Sequence, residues 1–240
     1  MQLIIEHDVK EPLVLPINYL HILQSAVYAS LADDREYASQ LHDMQNQSMQ
    51  RSFKFFQFSM IQGKFEIKDK NIIFRNHILF EVRSISPDFI NRVKCGIENN
   101  GITYQEHHFD DIKVQVRDDR ICKSDVVIQM KTPICVYRTD RETKKTYYPD
   151  VNEPLFRQLV IDNFIRKYKA YTGEAPEEEL YFELLKAGSR DHFVTKYKRF
   201  YISGWKGEYR LKGKPEYLDF LYQVGLGGKN SQGFGMFVVL

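Results

Sequence analysis

The sequence predicts an α+β protein built as two consecutive β-α-β-β-α-β units. Short apolar runs rich in aromatic and β-branched residues, which suit strands, alternate with segments whose apolar residues recur at helical spacing. In the first half these segments follow the order β-α(α)-β-β-α-β, the order of a ferredoxin-like, or RRM-like, unit. The charged break Arg117-Asp118-Asp119-Arg120 then falls near the middle of the 240 residues, and the second half follows a similar grammar. The expected domains are residues 1–118 and 119–240.

Leu3–Glu6 opens the chain as a short strand. Pro16 stands where a helix would start, as proline does in a first helical turn. From Ile17 to Leu31 apolar residues recur at helical spacing, with Tyr28 at the edge of the apolar face beside Val27. Tyr37, Leu41 and Met44 suggest a second, shorter helix that carries His42. Phe53–Ile61 is dense in aromatics and reads as a strand, Gly63 turns the chain into Lys64–Ile67, and Ile72–Glu81 is a further strand. Ser86-Pro87-Asp88 resembles a helix start, with Phe89, Ile90, Val93 and Ile97 as the apolar face. Phe109, Ile112, Val114 and Val116 are spaced as a strand.

In the second half, Asp125–Met130 and Ile134–Arg138 read as strands around Thr132-Pro133, and Thr139–Thr146 as a polar hairpin. Asn152-Glu153-Pro154 opens a long helix, Leu155 to Tyr171, expected to turn Leu159, Phe164 and Ile165 inward and Arg157, Arg166, Lys167 and Lys169 outward. A solvated face is the first reading of that basic stripe. Pro176–Lys186 is expected to be helical, Phe193–Ile202 and Gly207–Leu211 strands, and Pro215–Val224 a helix.

Composition narrows the function classes. Hydrophobic content of 43% with 28% charged residues describes a globular chain, and the formal net charge is only +2. Attraction to a polyanion must therefore come from clustered charge. Cys95, Cys122 and Cys135 are far apart and odd in number, so neither a zinc site nor a disulfide framework is indicated. Charge appears too early at the amino terminus for a signal peptide, and no apolar run approaches the ~20 residues that span a bilayer. An intracellular, cytoplasmic location without membrane contact is expected.

Five of the 13 glycines, Gly225, Gly227, Gly228, Gly233 and Gly235, crowd into the last sixteen residues around Lys229, Asn230 and Ser231. Glycine lets main-chain N–H groups approach a ligand closely, and successive N–H groups form a concave anion site. The apolar Met236–Leu240 that follows reads as a strand anchoring the loop. Neither familiar nucleotide motif fits. A dinucleotide fingerprint needs a third glycine where Asn230 stands, and a P-loop needs Ser or Thr after Gly228-Lys229 and then a helix. No nucleotide cofactor is expected. A ligand-free glycine hairpin and a phosphate-bearing partner remain the two readings of composition alone.

Several stretches together resemble one family. Gly225-Leu226-Gly227-Gly228-Lys229-Asn230-Ser231-Gln232-Gly233-Phe234-Gly235 is similar to the glycine-rich loop of the CRISPR-associated endoribonucleases that process CRISPR precursor transcripts, members of the RAMP superfamily. Leu41-His42-Asp43, Phe53-Lys54-Phe55-Phe56-Gln57-Phe58-Ser59, Asn163-Phe164-Ile165-Arg166-Lys167-Tyr168 and Gly204-Trp205-Lys206-Gly207 agree in the same order along the chain. The resemblance implies two tandem ferredoxin-like domains and metal-independent cleavage within the repeat. In that reaction the substrate 2′-hydroxyl attacks the neighbouring phosphate, leaving a 2′,3′-cyclic phosphate and a 5′-hydroxyl. Such chemistry needs a base, an acid and positive charge for the phosphorane.

By the same resemblance His42 is the catalytic histidine, Tyr28 the catalytic tyrosine with Tyr37 as the fallback, and Lys54 the cation that stabilises the transition state, with Arg51 the other candidate. An imidazole titrates near neutral pH and suits proton transfer. The family commonly has glycine soon after the histidine, whereas this chain has Asp43-Met44-Gln45-Asn46-Gln47. The glycine loop, through Gly225, Gly227, Gly228, Lys229, Asn230, Ser231, Gly233 and Gly235, and Arg51 are expected to bind the RNA backbone. The implied partners are CRISPR repeat RNA and a CRISPR effector complex, with the chain acting as a monomer or homodimer. The alternative is a catalytically inactive RAMP-type RNA-binding subunit. No metal site is expected; Glu106-His107-His108 is read as loop surface.

Overall fold

The structure, a computed structural model, describes residues 1–31, 53–197 and 200–240. Two compact units make up the chain, Met1–Asp119 and Arg120–Leu240.

In the first unit β1 (Gln2–Pro16) pairs antiparallel with β4 (Asn71–Ser84) on one side and β7 (Ile112–Arg117) on the other. The strand is far longer than Leu3–Glu6. A register shift between Val9 and Leu13 lets it continue, and Pro12, which has no N–H to donate, falls in that irregular stretch. Pro16 therefore ends a strand instead of opening a helix, and α1 runs from Leu20 to Ala29. β2 (Phe56–Phe58) and β3 (Gln62–Lys68) both pair with β4, Gly63 lying at a register shift. β5 (Ile102–Tyr104) and β6 (His107–Phe109) form a small hairpin. The sheet order β2-β4-β1-β7 is that of a ferredoxin-like unit.

One face of this sheet is an apolar row in register, Phe58, Val82, Leu3 and Val116. It shares the core with Leu23, Ala26 and Val27 of α1 and with Phe89, Ile90, Val93 and Ile97 of α2 (Pro87–Asn100). The predicted start of α2 is present in detail: the Ser86 hydroxyl accepts from the Phe89 N–H at 3.2 Å, and Pro87 occupies the first helical turn. The other face carries a buried polar network. Arg83, 1% exposed, donates to Glu81 and to Gln2, and the Gln2 amide donates to Glu81 at 2.9 Å.

The second unit repeats the topology. β8 (Asp125–Met130), β11 (Tyr181–Lys186), β14 (Glu208–Lys212) and β15 (Phe237–Val239) form an antiparallel sheet in the order β11-β14-β8-β15. α3 (Pro154–Thr172) and α4 (Pro215–Val224) are its helices. β9 (Arg138–Thr139) and β10 (Thr146–Tyr147) are the expected polar hairpin, and β12 (His192–Tyr197) with β13 (Phe200–Trp205) forms a second. Four expectations change here. Phe193–Ile202, expected as one strand, divides between β12 and β13, which pair antiparallel with Tyr197 opposite Phe200. Residues 181–186, expected to be helical, form strand β11, because Phe182 and Leu184 pair with Leu211 and Tyr209 of β14. Ile134–Arg138 is not a continuous strand; Ile134 bridges Trp205 and Cys135 bridges Gly228. On α3 the buried residues are Phe156, Val160, Phe164 and Lys167, while Ile165 is exposed. Lys167 thus faces the core, not solvent.

Candidate functional site

In the first unit, α1 ends at the residues that present Tyr28. The Ser30 hydroxyl donates to the Val27 carbonyl at 2.8 Å and its N–H to Ala26, which closes the last turn. α2 crosses this end at Gly96, where a Cβ would lie 1.7 Å from the Ser30 carbonyl oxygen. Only glycine permits that approach. The Tyr28 ring meets Phe56 edge-on at 5.9 Å, and Phe56 stacks on Phe89 at 4.6 Å, so the phenol is fixed against the core.

Lys54 enters from the segment before β2. Ser84 holds that segment by donating its hydroxyl to the Phe55 carbonyl at 2.8 Å. The Lys54 Nζ donates to the Tyr28 Oη at 2.7 Å and lies 4.8 Å from the ring centroid. Burial pushes the Lys54 ammonium below its ordinary pKa. A lysine ammonium has three N–H donors, so two remain beyond the bond to Tyr28 to face an anion. The structure thus brings together Tyr28 and Lys54, two of the three residues assigned to catalysis. His42, Arg51 and Tyr37 lie outside the described residues.

In the second unit the glycine-rich loop runs from the end of α4 to β15. Positive φ at Gly225, Gly227, Lys229, Gly233 and Gly235 folds it back on itself. Much of its main chain is satisfied internally: Gly228 N–H donates to Cys135 at 2.7 Å, Gly235 N–H to Pro133 at 2.9 Å, and Gly233 N–H to Asn230. A Cβ on Gly227 or Gly235 would fall 2.7 Å from the Cys135 carbonyl or 2.1 Å from that of Leu226. These glycines serve close packing of backbone on backbone. Lys229 and Ser231 are half-buried on the single turn at residues 230–232, and the Lys229 Nζ lies 5.1 Å from the Tyr137 ring centroid.

Sequence reasoning missed Lys167 and Gly96. Lys167 is 2% exposed and donates to the Gly225 carbonyl and to Asn230 Oδ1. Burial lowers its pKa to about 7. Its spacing from Phe156, Val160 and Phe164 was the available signal: a helical wheel puts the lysine on their side. No described helix is long and apolar enough to cross a membrane, and among the described residues no three His, Cys, Asp or Glu side chains converge.

Two ferredoxin-like units in tandem, the second closing through a glycine-rich loop onto its edge strand, define an α+β protein of the tandem ferredoxin-like class. The family model for the C-terminal part of CRISPR associated protein Cas6 matches residues 113–239, more than half of the 240-residue chain. The chain belongs to the Cas6 family. It is 27% identical over 234 residues to a CRISPR-associated endoribonuclease Cas6 of Methanocaldococcus jannaschii, covering 94% of this chain and 87% of that one. Among solved structures, a RAMP protein binding different RNA substrates aligns with TM-score 0.81 at 23% identity, over 100% of this chain and 98% of that chain. A Cas6-related protein of Pyrococcus furiosus aligns with TM-score 0.79 at 22% identity, over the same shares.

Proposed function

We propose that this protein is a metal-independent endoribonuclease that cuts CRISPR precursor RNA within its repeats. The observation that carries this reading is the 2.7 Å contact between Lys54 and Tyr28. In the proposed reaction the substrate 2′-oxygen attacks the adjacent phosphorus, the bond to the 5′-oxygen breaks, and a 2′,3′-cyclic phosphate and a 5′-hydroxyl result. Tyr28 hydrogen-bonds the 2′-hydroxyl and shares in its deprotonation, helped by the ammonium beside it. Lys54 directs its remaining N–H groups at the phosphorane oxygens, where charge develops. His42 exchanges the proton with the leaving oxygen. Residues 1–118 would then carry the chemistry, and residues 119–240 would hold the RNA backbone through Lys229 and Ser231, on a loop that Asn230 and the surrounding glycines shape. Arg51 of the first domain contributes a further phosphate contact. The product RNA passes to a CRISPR effector complex.

The test is incubation of the protein with its repeat RNA, with and without EDTA. Full activity in EDTA, a cyclic-phosphate end and loss of cleavage in His42→Ala with binding retained are expected. Metal-dependent cleavage, or an unchanged rate in His42→Ala, would overturn the mechanism. Binding with no cleavage by the unaltered protein would make it the non-catalytic RNA-binding subunit instead.

A further inference from the structure

Among the described residues, Lys167 is the buried lysine that the proposed chemistry does not use, and its place on α3 is unusual. Phe156, Val160 and Phe164 form the buried stripe that it continues. A leucine there would extend the stripe without the several kcal/mol that desolvating an ammonium costs. The ammonium instead reaches the glycine-rich loop, 58 residues further along the chain, and donates to the Gly225 carbonyl. It also donates to Asn230 Oδ1 at 3.1 Å. The Asn230 amide nitrogen then donates to the Leu226 and Phe234 carbonyls, each at 3.0 Å. One ammonium and one amide thereby tie the loop together at its entry, its turn and its exit. The main-chain bond from Leu226 N–H to Gly235 closes the same ring at 2.9 Å.

A second observation points to a ligand at this loop. Asn163 Oδ1, one turn before Lys167 on α3, and Gln232 Oε1, on the loop itself, are buried acceptors with no hydrogen-bond partner among the described residues. The Asn163 amide nitrogen is 3.8 Å from where a Cβ on Gly228 would stand, so this side chain lies under the loop. Buried polar atoms are ordinarily paired, and two exceptions beside one loop fit a surface that a ligand with hydroxyl or amine donors completes. RNA supplies both, in its 2′-hydroxyls and its bases.

We infer that Lys167 is a positioning residue for RNA binding: its two donated bonds hold the glycine-rich loop in the form that presents Lys229 and the turn at residues 230–232 to the RNA backbone. The inference rests on the reading of that loop as an RNA platform. The device works in either protonation state, because a neutral amine still has two N–H donors.

The experiment compares Lys167→Met, Asn230→Ala, the double variant and Lys229→Ala, each checked for folding by thermal melting. RNA of the repeat sequence from the source genome, with a 2′-deoxy nucleotide at the cleavage site, gives Kd. The cleavable RNA at saturation gives the single-turnover rate. Lys167→Met is expected to weaken Kd by ~10-fold or more, and to leave the rate at saturation within about 3-fold. The double variant is expected to bind no worse than the poorer single variant, because the two residues act as one unit. A folded Lys167→Met with unaltered Kd, or losses that add in the double variant, overturns the inference. Should Lys167→Met not fold, Asn230→Ala removes one of the same bonds with α3 untouched, and unaltered Kd there is equally decisive. Lys229→Ala separates the two readings. If it leaves Kd unchanged, the loop is not the RNA platform; if it weakens Kd while Lys167→Met does not, only the positioning role fails.

Discussion

Replacing Lys54 by methionine removes one positive charge and keeps most of the half-buried aliphatic volume. The bond it deletes is a charge-assisted contact of 2.7 Å to the Tyr28 phenol. Such bonds contribute ~1.5–3 kcal/mol, and a preorganised group that faces developing transition-state charge contributes ~3–4 kcal/mol. The second figure governs the rate, because the ammonium acts on the phosphorane as well as on the phenol. The single-turnover rate should therefore fall by ~10²–10³-fold. Ground-state binding should change little, since one phosphate contact among several is lost. Tyr28→Phe deletes the phenol oxygen alone and should cost less. The double variant should be no slower than Lys54→Met by more than about 3-fold if the two side chains act as a unit. Quenched time courses at saturating repeat RNA, read on denaturing gels, give all three rates. Losses that multiply in the double variant would show that Tyr28 and Lys54 work separately, and an unchanged rate in Lys54→Met would remove the lysine from the mechanism.

Three other substitutions test the supporting structure. Gly96→Ala would put a methyl 1.7 Å from the Ser30 carbonyl; it should cost ~2–4 kcal/mol in urea denaturation and slow cleavage by displacing Tyr28, whereas unaltered stability would contradict the packing. Arg83→Met leaves the buried Glu81 carboxylate without its cation and should destabilise by ~3–5 kcal/mol at pH 7, read from the same denaturation curves; a loss under about 1 kcal/mol would mean the pair is not desolvated. Lys167 gives a pH signature: burial holds it at about 7 in the folded protein against the ordinary lysine value of 10.5, so between those values the unfolded chain binds more protons. Stability of the unaltered protein relative to Lys167→Met should therefore be constant below about pH 7 and rise by on the order of 1–3 kcal/mol by about pH 9.5. Parallel pH profiles for the two proteins would place the lysine in solvent.

Local chemistry made much of this fold legible. Ser86-Pro87-Asp88 combines a capping hydroxyl with a proline suited to the first turn, and the helix starts there. The order of apolar segments gave the ferredoxin-like topology of the first half in the same way. Partner-dependent features were harder to read. Tyr181, Phe182, Leu184 and Leu185 suit a helix face as well as a strand, and the pairing with Leu211 and Tyr209 decides between them. The full length of β1 depends on Asn71–Phe74 lying opposite Leu13–Pro16, which no local pattern encodes. At the site, Tyr28 and Lys54 were named from a family likeness, but their contact spans 26 residues and emerges only in three dimensions. Lys167 was misassigned because a lysine beside Arg166 suggests a solvated stripe, although its angular position on α3 placed it with the phenylalanines.

The register that seats the last strand bears on how the protein acquires its loop. Phe237 lies opposite Met130, and Val239 opposite Ile128, so each pair joins residues more than a hundred positions apart. Closing so large a separation is entropically demanding and slow compared with forming a helix or a local hairpin. The glycine-rich segment sits between α4 and that distant contact, so its final shape must await a late docking event. A substitution that weakens the pairing of Phe237 with Met130 would therefore disturb the loop without touching any of its residues.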